Sequence, residues 1–176
     1  DLHSGIFGGA VANPINVLCK IIADITDKDG YITIPHFYDD VEEVSAAERA
    51  MLAEVPHNDK DYAESIGVKA LFGEKDFSTL ERTAIRPTFD VCGIWGGYAA
   101  EGSKTVLPSK ATAKMSCRLV PHQQHEKISQ LFIDYIYSVV PDYVTVKVTP
   151  MHGGDGYVCP IDMPAYKIAE RAYEKA

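Results

Sequence analysis

Apolar and polar positions recur along this chain with two different periods, and each change of period marks an element. Val11, Ile15, Leu18, Ile22 and Ile25 follow one another at steps of three and four, which predicts a helix with one buried stripe. Pro14 falls in its first turns, where the missing N–H costs no helical hydrogen bond. A second stripe, Ile128, Leu131, Phe132, Tyr135, Ile136 and Val139, predicts a second helix. Between them the period drops to two. Ala111, Ala113, Met115, Cys117 and Leu119 alternate strictly with Thr112, Lys114, Ser116 and Arg118, the pattern of a strand with one buried and one wet face. Thr88 to Ile94 offers a partner strand, joined to it through the glycine-rich stretch 96–102. Val144, Val146 and Val148 alternate with Thr145, Lys147 and Thr149 and predict one more half-exposed strand. After Gly153 and Gly154 a helical segment runs from about Pro164 to Ala176.

Residues 28–86 read differently. They hold most of the local charge and several loop signals, such as Asp29-Gly30 and Pro56-His57-Asn58-Asp59. Two capping boxes, Ser45 with Glu48 and Ser78 with Glu81, each predict a short helix start. This segment reads as an insertion of small helices and loops between two core elements. The order is then helix, insertion, strand, strand, helix, strand. A strand ending at Asp1 would complete βαββαβ, an α+β, ferredoxin-like two-layer sandwich with an antiparallel sheet and helices on one face. The other face and the sheet edges stay available for a partner. The last helix has no place in that order and is assigned to a neighbouring domain.

Composition narrows the function classes. The chain has 176 residues, 46% hydrophobic and 24% charged, the balance of a globular domain with a core. A net charge of −8 argues against a nucleic-acid partner, because no basic surface is available for phosphates. No apolar run reaches the roughly 18 residues of a membrane helix. The chain opens at Asp1 on a glycine-rich turn and reads as a piece of something longer. Four cysteines, Cys19, Cys92, Cys117 and Cys159, are scattered without a CxxC pair, which suits free thiols and a cytoplasmic location. Cys19 and Cys117 fall on apolar faces and are expected to be buried.

No HExxH, P-loop or GxSxG motif occurs, and no His, Asp or Glu cluster has ligand spacing, so no metal residues are assigned. The acidic pairs Asp39-Asp40 and Glu42-Glu43 read as solvated turns. Four polar residues stand out beside permissive glycines or at a strand end: His3 in DLHSG, Thr105 in GSKTV, Arg118 at the end of the alternating strand, and His152 before Gly153-Gly154. Each suits a site on loops held by a rigid scaffold, and each also suits ordinary turn chemistry.

Four segments carry a resemblance: DLHSGIFGGAVANP (1–14), GIWGGYAAEGSKTVLP (93–108), KMSCRLVP (114–121) and MHGG (151–154). In this order they resemble the M20 metallopeptidases, in the carnosinase-like and cytosolic nonspecific dipeptidase branch. The resemblance implies a parent dipeptidase whose catalytic domain binds two zinc ions, or manganese in some members. It implies that residues 1–158 are an inserted lid domain that also forms the homodimer, and that 159–176 begin the return to the catalytic domain. The metal ligands of the family lie outside the lid and match no segment here, so the piece alone is expected to be inactive. Carried over residue by residue, His3 is the catalytic histidine that reaches a partner subunit's active site and stabilises the oxyanion. Thr105 contacts substrate across the same boundary, Arg118 binds the substrate's terminal carboxylate, and His152 is a further substrate-contacting residue. Cys92 departs from the family, which often has Asn or His there. Two other readings stay open: an M20 deacylase acting on acyl-amino acids or succinyl-diaminopimelate, and a stand-alone ferredoxin-like binding or regulatory module.

Overall fold

In the computed structural model, which describes residues 1–159 and 163–175, the chain is a mixed α+β fold with small antiparallel sheets. It opens with β1 (Leu2–His3), a single-turn helix α1 (Ser4–Phe7) and α2 (Pro14–Asp24). Three short helices follow, α3 (Ala46–Glu54), α4 (Asp59–Ser65) and α5 (Thr79–Ala84). Then come β2 (Thr88–Gly96), β3 (Val106–Leu107), β4 (Ala111–Arg118), α6 (His125–Val139) and α7 (Pro164–Tyr173).

The centre is an antiparallel ribbon of β2 and β4, in register from Thr88 opposite Arg118 to Gly96 opposite Ala111. The predicted alternation of β4 holds residue by residue: Ala111, Ala113, Met115 and Cys117 are half-buried, and Thr112, Lys114, Ser116 and Arg118 are exposed. A bulge between Val91 and Gly93 leaves Cys92 as the extra residue of β2. Helices α2 and α6 bury Ile21, Ile25, Ile128 and Ile136 in one cluster against Phe89, Met115 and Cys117 of the ribbon. Phe89 stacks on Phe132 of α6 at 6.3 Å. The expected α2 stripe holds at Ile15, Leu18 and Ile22, which are half-buried, and at Ile25, which is buried; Val17 and Ile21 widen it on one side, and Val11 is exposed. The helix starts at Pro14, capped by Asn13, whose side chain accepts from the Ile15 N–H at 2.9 Å. Val11 therefore lies outside the helix, and Cys19 turns to solvent rather than into the core.

The segment 28–86 differs most from its expected role. Both capping boxes form, at Ser45 for α3 and at Ser78 for α5. Yet its first loop is not peripheral. Ile32, Ile34 and Phe37 belong to the same buried cluster as Ile21 and Ile136. Behind them a charged residue is enclosed. Glu74 is buried and pairs with Arg86 through Nε and, at 2.9 Å, through Nη2. Tyr38 donates its hydroxyl to Glu74 at 2.7 Å, and Arg86 lies over the Phe77 ring at 4.1 Å. No periodicity announces this, because the core residues of the loop follow neither a helical nor a strand spacing.

The four-stranded sandwich is not assembled among the described residues. β1 pairs only with β3, Leu2 opposite Leu107 and His3 opposite Val106, as a separate two-stranded sheet. Val144, Val146 and Val148 do point inward in alternation, but 144–148 joins no ladder. The side-chain period of a strand is present there without a neighbouring backbone to complete it. Within α6 the predicted stripe holds except at Val139, which is exposed at the last turn. Every described residue of α7 is exposed. The assigned helical segment 164–176 ends in Ala176, which lies outside the described residues, as do 160–162.

Two outcomes follow from this packing. Glu74→Ala leaves Arg86 enclosed without its carboxylate and is expected to destabilise the chain by about 3–5 kcal/mol, the usual cost of breaking a buried pair from one side; urea denaturation followed by circular dichroism measures it. Burial pushes the Cys117 thiol up to about 11, with Asp90 adding to the shift. A thiol reagent at pH 8 should therefore modify Cys19, Cys92 and Cys159 quickly and Cys117 only on unfolding.

Candidate functional site

The polar residues singled out in the sequence gather at the two ends of β4. At the first end, β1 and β3 form a short clasp just before Ala111. The Ser4 N–H donates to the Thr105 carbonyl at 3.2 Å, and the Ser109 N–H donates to Asp1 Oδ1 at 2.8 Å. His3 is the N-cap of α1, and its Nδ1 accepts from the Gly5 N–H at 3.1 Å. With Nδ1 engaged as acceptor, the single proton of an uncharged ring sits on Nε2. That Nε2–H faces Thr105 Oγ1 at 3.1 Å, and both side chains are exposed. The ring is thus held in one tautomer with its donor directed outward, and the Thr105 hydroxyl proton is left free to point to a ligand.

Glycines make this end possible. A Cβ on Gly5 would stand 2.9 Å from His3 Cε1, and one on Gly8 would overlap the Ser4 carbonyl. At the adjoining tip of the ribbon, Gly97 has φ +70 and a Cβ there would lie 3.0 Å from Ile15 Cδ1, so the start of α2 rests directly on the strand end.

At the other end, Arg118 closes β4 on its exposed face and makes no hydrogen bond or ion pair among the described residues. Seven residues of antiparallel strand separate it from Ala111, roughly 24 Å. His152 is likewise exposed. Its segment is tied down at Gly153, Asp155 and Gly156. Gln124, the N-cap of α6, offers no side-chain cap; Asp155 replaces it, accepting the His125 N–H at 2.8 Å and the His125 Nδ1 at 2.9 Å. The N–H bond from His125 holds the Asp155 carboxyl below the usual aspartate range. A Cβ on Gly153 would overlap the His125 ring, and one on Gly156 would stand 3.2 Å from the Val120 carbonyl carbon and from the Pro121 nitrogen. The MHGG segment therefore lies against the chain that leaves Arg118.

His3 and Thr105 are joined directly, then, and Arg118 and the His152 segment share the other end. No hydrogen bond among the described residues links the two ends. The role of Asp155 escaped the sequence reading; its one signal is an uncapped helix start at His125, which a carboxylate 30 residues away satisfies. Cys92, at the bulge, is exposed with its Sγ 3.1 Å from Ser116 Oγ. Among the described residues, no group of three or more His, Cys, Asp or Glu side chains is arranged to hold a metal ion.

Comparison with known proteins adds to this geometry. The peptidase dimerisation domain of the M20 family matches residues 1–154. The chain is 29% identical to the Cys-Gly metallodipeptidase dug1 of Schizosaccharomyces pombe over 99% of its own length and 37% of that protein. It is 30% identical to the human Beta-Ala-His dipeptidase over 98% of its length and 34% of that protein. Among solved structures it is similar to an M20 family metallo-carboxypeptidase from Sulfolobus solfataricus, with a TM-score of 0.69 at 35% identity, covering 78% of this chain and 36% of that one. The chain spans about a third of the length of these relatives.

Two measurements check the geometry. Nitrogen-15 spectra of the uncharged His3 ring should show the Nε2–H tautomer, and a Nδ1–H pattern would contradict the Gly5 contact. The Asp155 clamp, being a lowered carboxylate, is present above roughly pH 4 and is lost as pH falls through its depressed range. Hydrogen exchange of the 151–156 amides, corrected for the intrinsic rate, should accelerate as pH falls below about 4, and Asp155→Ala should bring the same loss of protection to pH 7.

Proposed function

Because the chain belongs to the M20 peptidase dimerisation-domain family, in the branch of the Cys-Gly and Beta-Ala-His dipeptidases, we propose that it is the lid and dimerisation domain of a dipeptidase, serving two active sites at once. One end of β4 supplies Arg118 and His152 to the active site of its own subunit. The other end supplies His3 and Thr105 to the active site of a second copy. What supports this reading is that His3 and Thr105 are joined at the clasp that precedes β4 while Arg118 ends that strand, whose eight residues extend over roughly 24 Å. No single dipeptide spans that distance, yet all four side chains are exposed and outward-facing.

The chemistry of each end fits its role. Arg118 presents a planar guanidinium with no competing carboxylate among the described residues, suited to a bidentate grip on a substrate's terminal carboxylate. The His3 Nε2–H already donates to a hydroxyl oxygen at 3.1 Å, and the same donor can turn to a developing oxyanion. The Thr105 hydroxyl is free to donate beside it. Dimerisation through the ribbon is supported by Ile94 and Trp95, large apolar side chains left about half exposed on β2, whose outer edge pairs with nothing among the described residues. The unpaired alternation of 144–148 supports completion of the ferredoxin-like sandwich by a strand ahead of β1. Residues 159–176, with α7 wholly exposed, then lead into the catalytic domain.

The metal ligands are proposed to lie in the catalytic domain. Among the described residues no group of three or more His, Cys, Asp or Glu side chains fits two zinc or manganese ions, so none is assigned to them and no step is derived through them. Four free cysteines suit a reducing cytoplasm, and no helix among the described residues is long and apolar enough to cross a membrane. The two named relatives are dipeptidases, which favours dipeptides over acyl-amino acids as substrates.

In the full-length protein, a chelator should abolish hydrolysis of dipeptides, and added zinc or manganese should restore it. His3→Ala should lower kcat by about 10²–10³, the usual loss of one oxyanion donor, at nearly unchanged KM. Arg118→Ala should raise KM by a tenfold step or more for substrates with a free C-terminus. Chelator-resistant hydrolysis, or unchanged kinetics in both variants, would overturn the assignment.

A further inference from the structure

The most enclosed polar residue among those described lies five residues beyond Arg118 and has no role in the reading above. Gln123 is 1% exposed. Both of its amide atoms are engaged: Oε1 accepts the Val120 N–H at 3.1 Å, and Nε2 donates to the Phe37 carbonyl at 2.8 Å. Its own N–H donates to the Val120 carbonyl at 3.2 Å. Both polar groups of the Val120 backbone therefore end on one residue.

The turn so clasped is a strained one. Val120, Pro121, His122 and Gln123 form a β-turn with proline at the second position and His122 at φ +72 at the third. That position of a type II turn favours glycine, because a Cβ crowds the backbone there. The chain accepts the cost and ties the turn down from every side. His122 Nε2 meets Glu42 at 2.9 Å, and Lys127 meets Asp40 at 2.6 Å. The Gly156 backbone lies against the Val120–Pro121 peptide on the remaining side. Four segments thus converge on the turn: the end of β4 with Arg118, the start of α6, the loop 36–42, and the segment that carries His152.

We propose that Gln123 is the positioning residue of the carboxylate-binding end, fixing through the Val120 backbone the direction in which Arg118 leaves β4 and seating beside it the segment of His152. The inference rests on the substrate role of Arg118 proposed above. Gln123 touches no substrate; it removes the freedom of the four residues, 119–122, that separate it from the strand end. It also explains why the loop 36–42 reaches across to this corner: the Phe37 carbonyl completes the amide's hydrogen bonds, and the Phe37 ring fills the core beneath.

The test uses the full-length protein and two substrates, a dipeptide with a free C-terminus and the same dipeptide amidated at its C-terminus. Gln123→Met keeps the side-chain volume and removes both amide bonds. It should raise KM for the free acid by about tenfold, the loss expected of one misaligned charge-assisted contact, with kcat within about twofold and the amide unaffected. In an Arg118→Ala background the same substitution should add nothing, since the two residues act through one contact. Should Gln123→Met not accumulate, Gln123→Glu, which keeps the acceptor for Val120 and loses the donor to Phe37, is measured the same way. A lower kcat at unchanged KM, or equal effects on acid and amide, reduces Gln123 to a structural residue and overturns the proposal. An Arg118→Ala variant with unchanged KM instead overturns the premise, and the two failures are told apart by which variant is silent.

Discussion

The strict two-residue period of β4 is the constraint on which the rest depends. Ala111, Ala113, Met115 and Cys117 face helices α2 and α6, so Thr112, Lys114, Ser116 and Arg118 must face away from them. A slip of one residue against β2 would drive Arg118 into the cluster around Ile21 and Ile136 and expose Met115 and Cys117. Burying a guanidinium without a partner is among the costliest changes a core can suffer. The register that stabilises the domain is therefore the same register that presents its arginine.

Around that ribbon the chain spends its irregular backbone at the two ends. Glycines admit the His3 ring and the start of α2 at one tip, and a left-handed histidine turn closes the other. Both ends are over-determined by hydrogen bonds: the β1–β3 clasp with its His3–Thr105 contact at one, the Gln123 and Asp155 ties at the other. Functional side chains held on loops over a rigid sheet need such support if they are to meet a substrate in one geometry. On the wet side of the ribbon between them Thr112, Lys114 and Ser116 are exposed, which leaves that side open for a partner.

Periodic segments were legible in the sequence and non-periodic ones were not. The faces of β4, the stripe of α6 and both capping boxes could be read because each rests on a local rule. The start of α2 shows the limit of that rule: its face is the expected one from Ile15 on, but its cap is Asn13, so the stripe starts later than Val11 suggests. Ile32, Ile34 and Phe37 were not visible as core, since the cluster that buries them joins the end of α2 to Ile128 and Ile136 of α6, about a hundred residues away in sequence. The strand at 144–148 was half legible, its side-chain alternation present and its ladder missing, because alternation is written in one segment and a ladder needs two. Of the site, the four residues were named from motifs and from their setting beside glycines. Their grouping into two ends, and the ties made by Gln123 and Asp155, needed coordinates, because sequence separations of 86 and 30 residues carry no pattern.

The central claim is that one copy of this domain completes the active site of another. Mixing full-length subunits that carry His3→Ala with subunits that carry Arg118→Ala tests it most directly. If His3 acts across the dimer, the mixed dimer holds one site with its own arginine and the partner's histidine intact, and random pairing should recover roughly a quarter of the unmutated activity from two nearly inactive parents. If both residues serve the same subunit, every site in the mixture lacks one of them, and activity no higher than that of the separate variants would contradict the account.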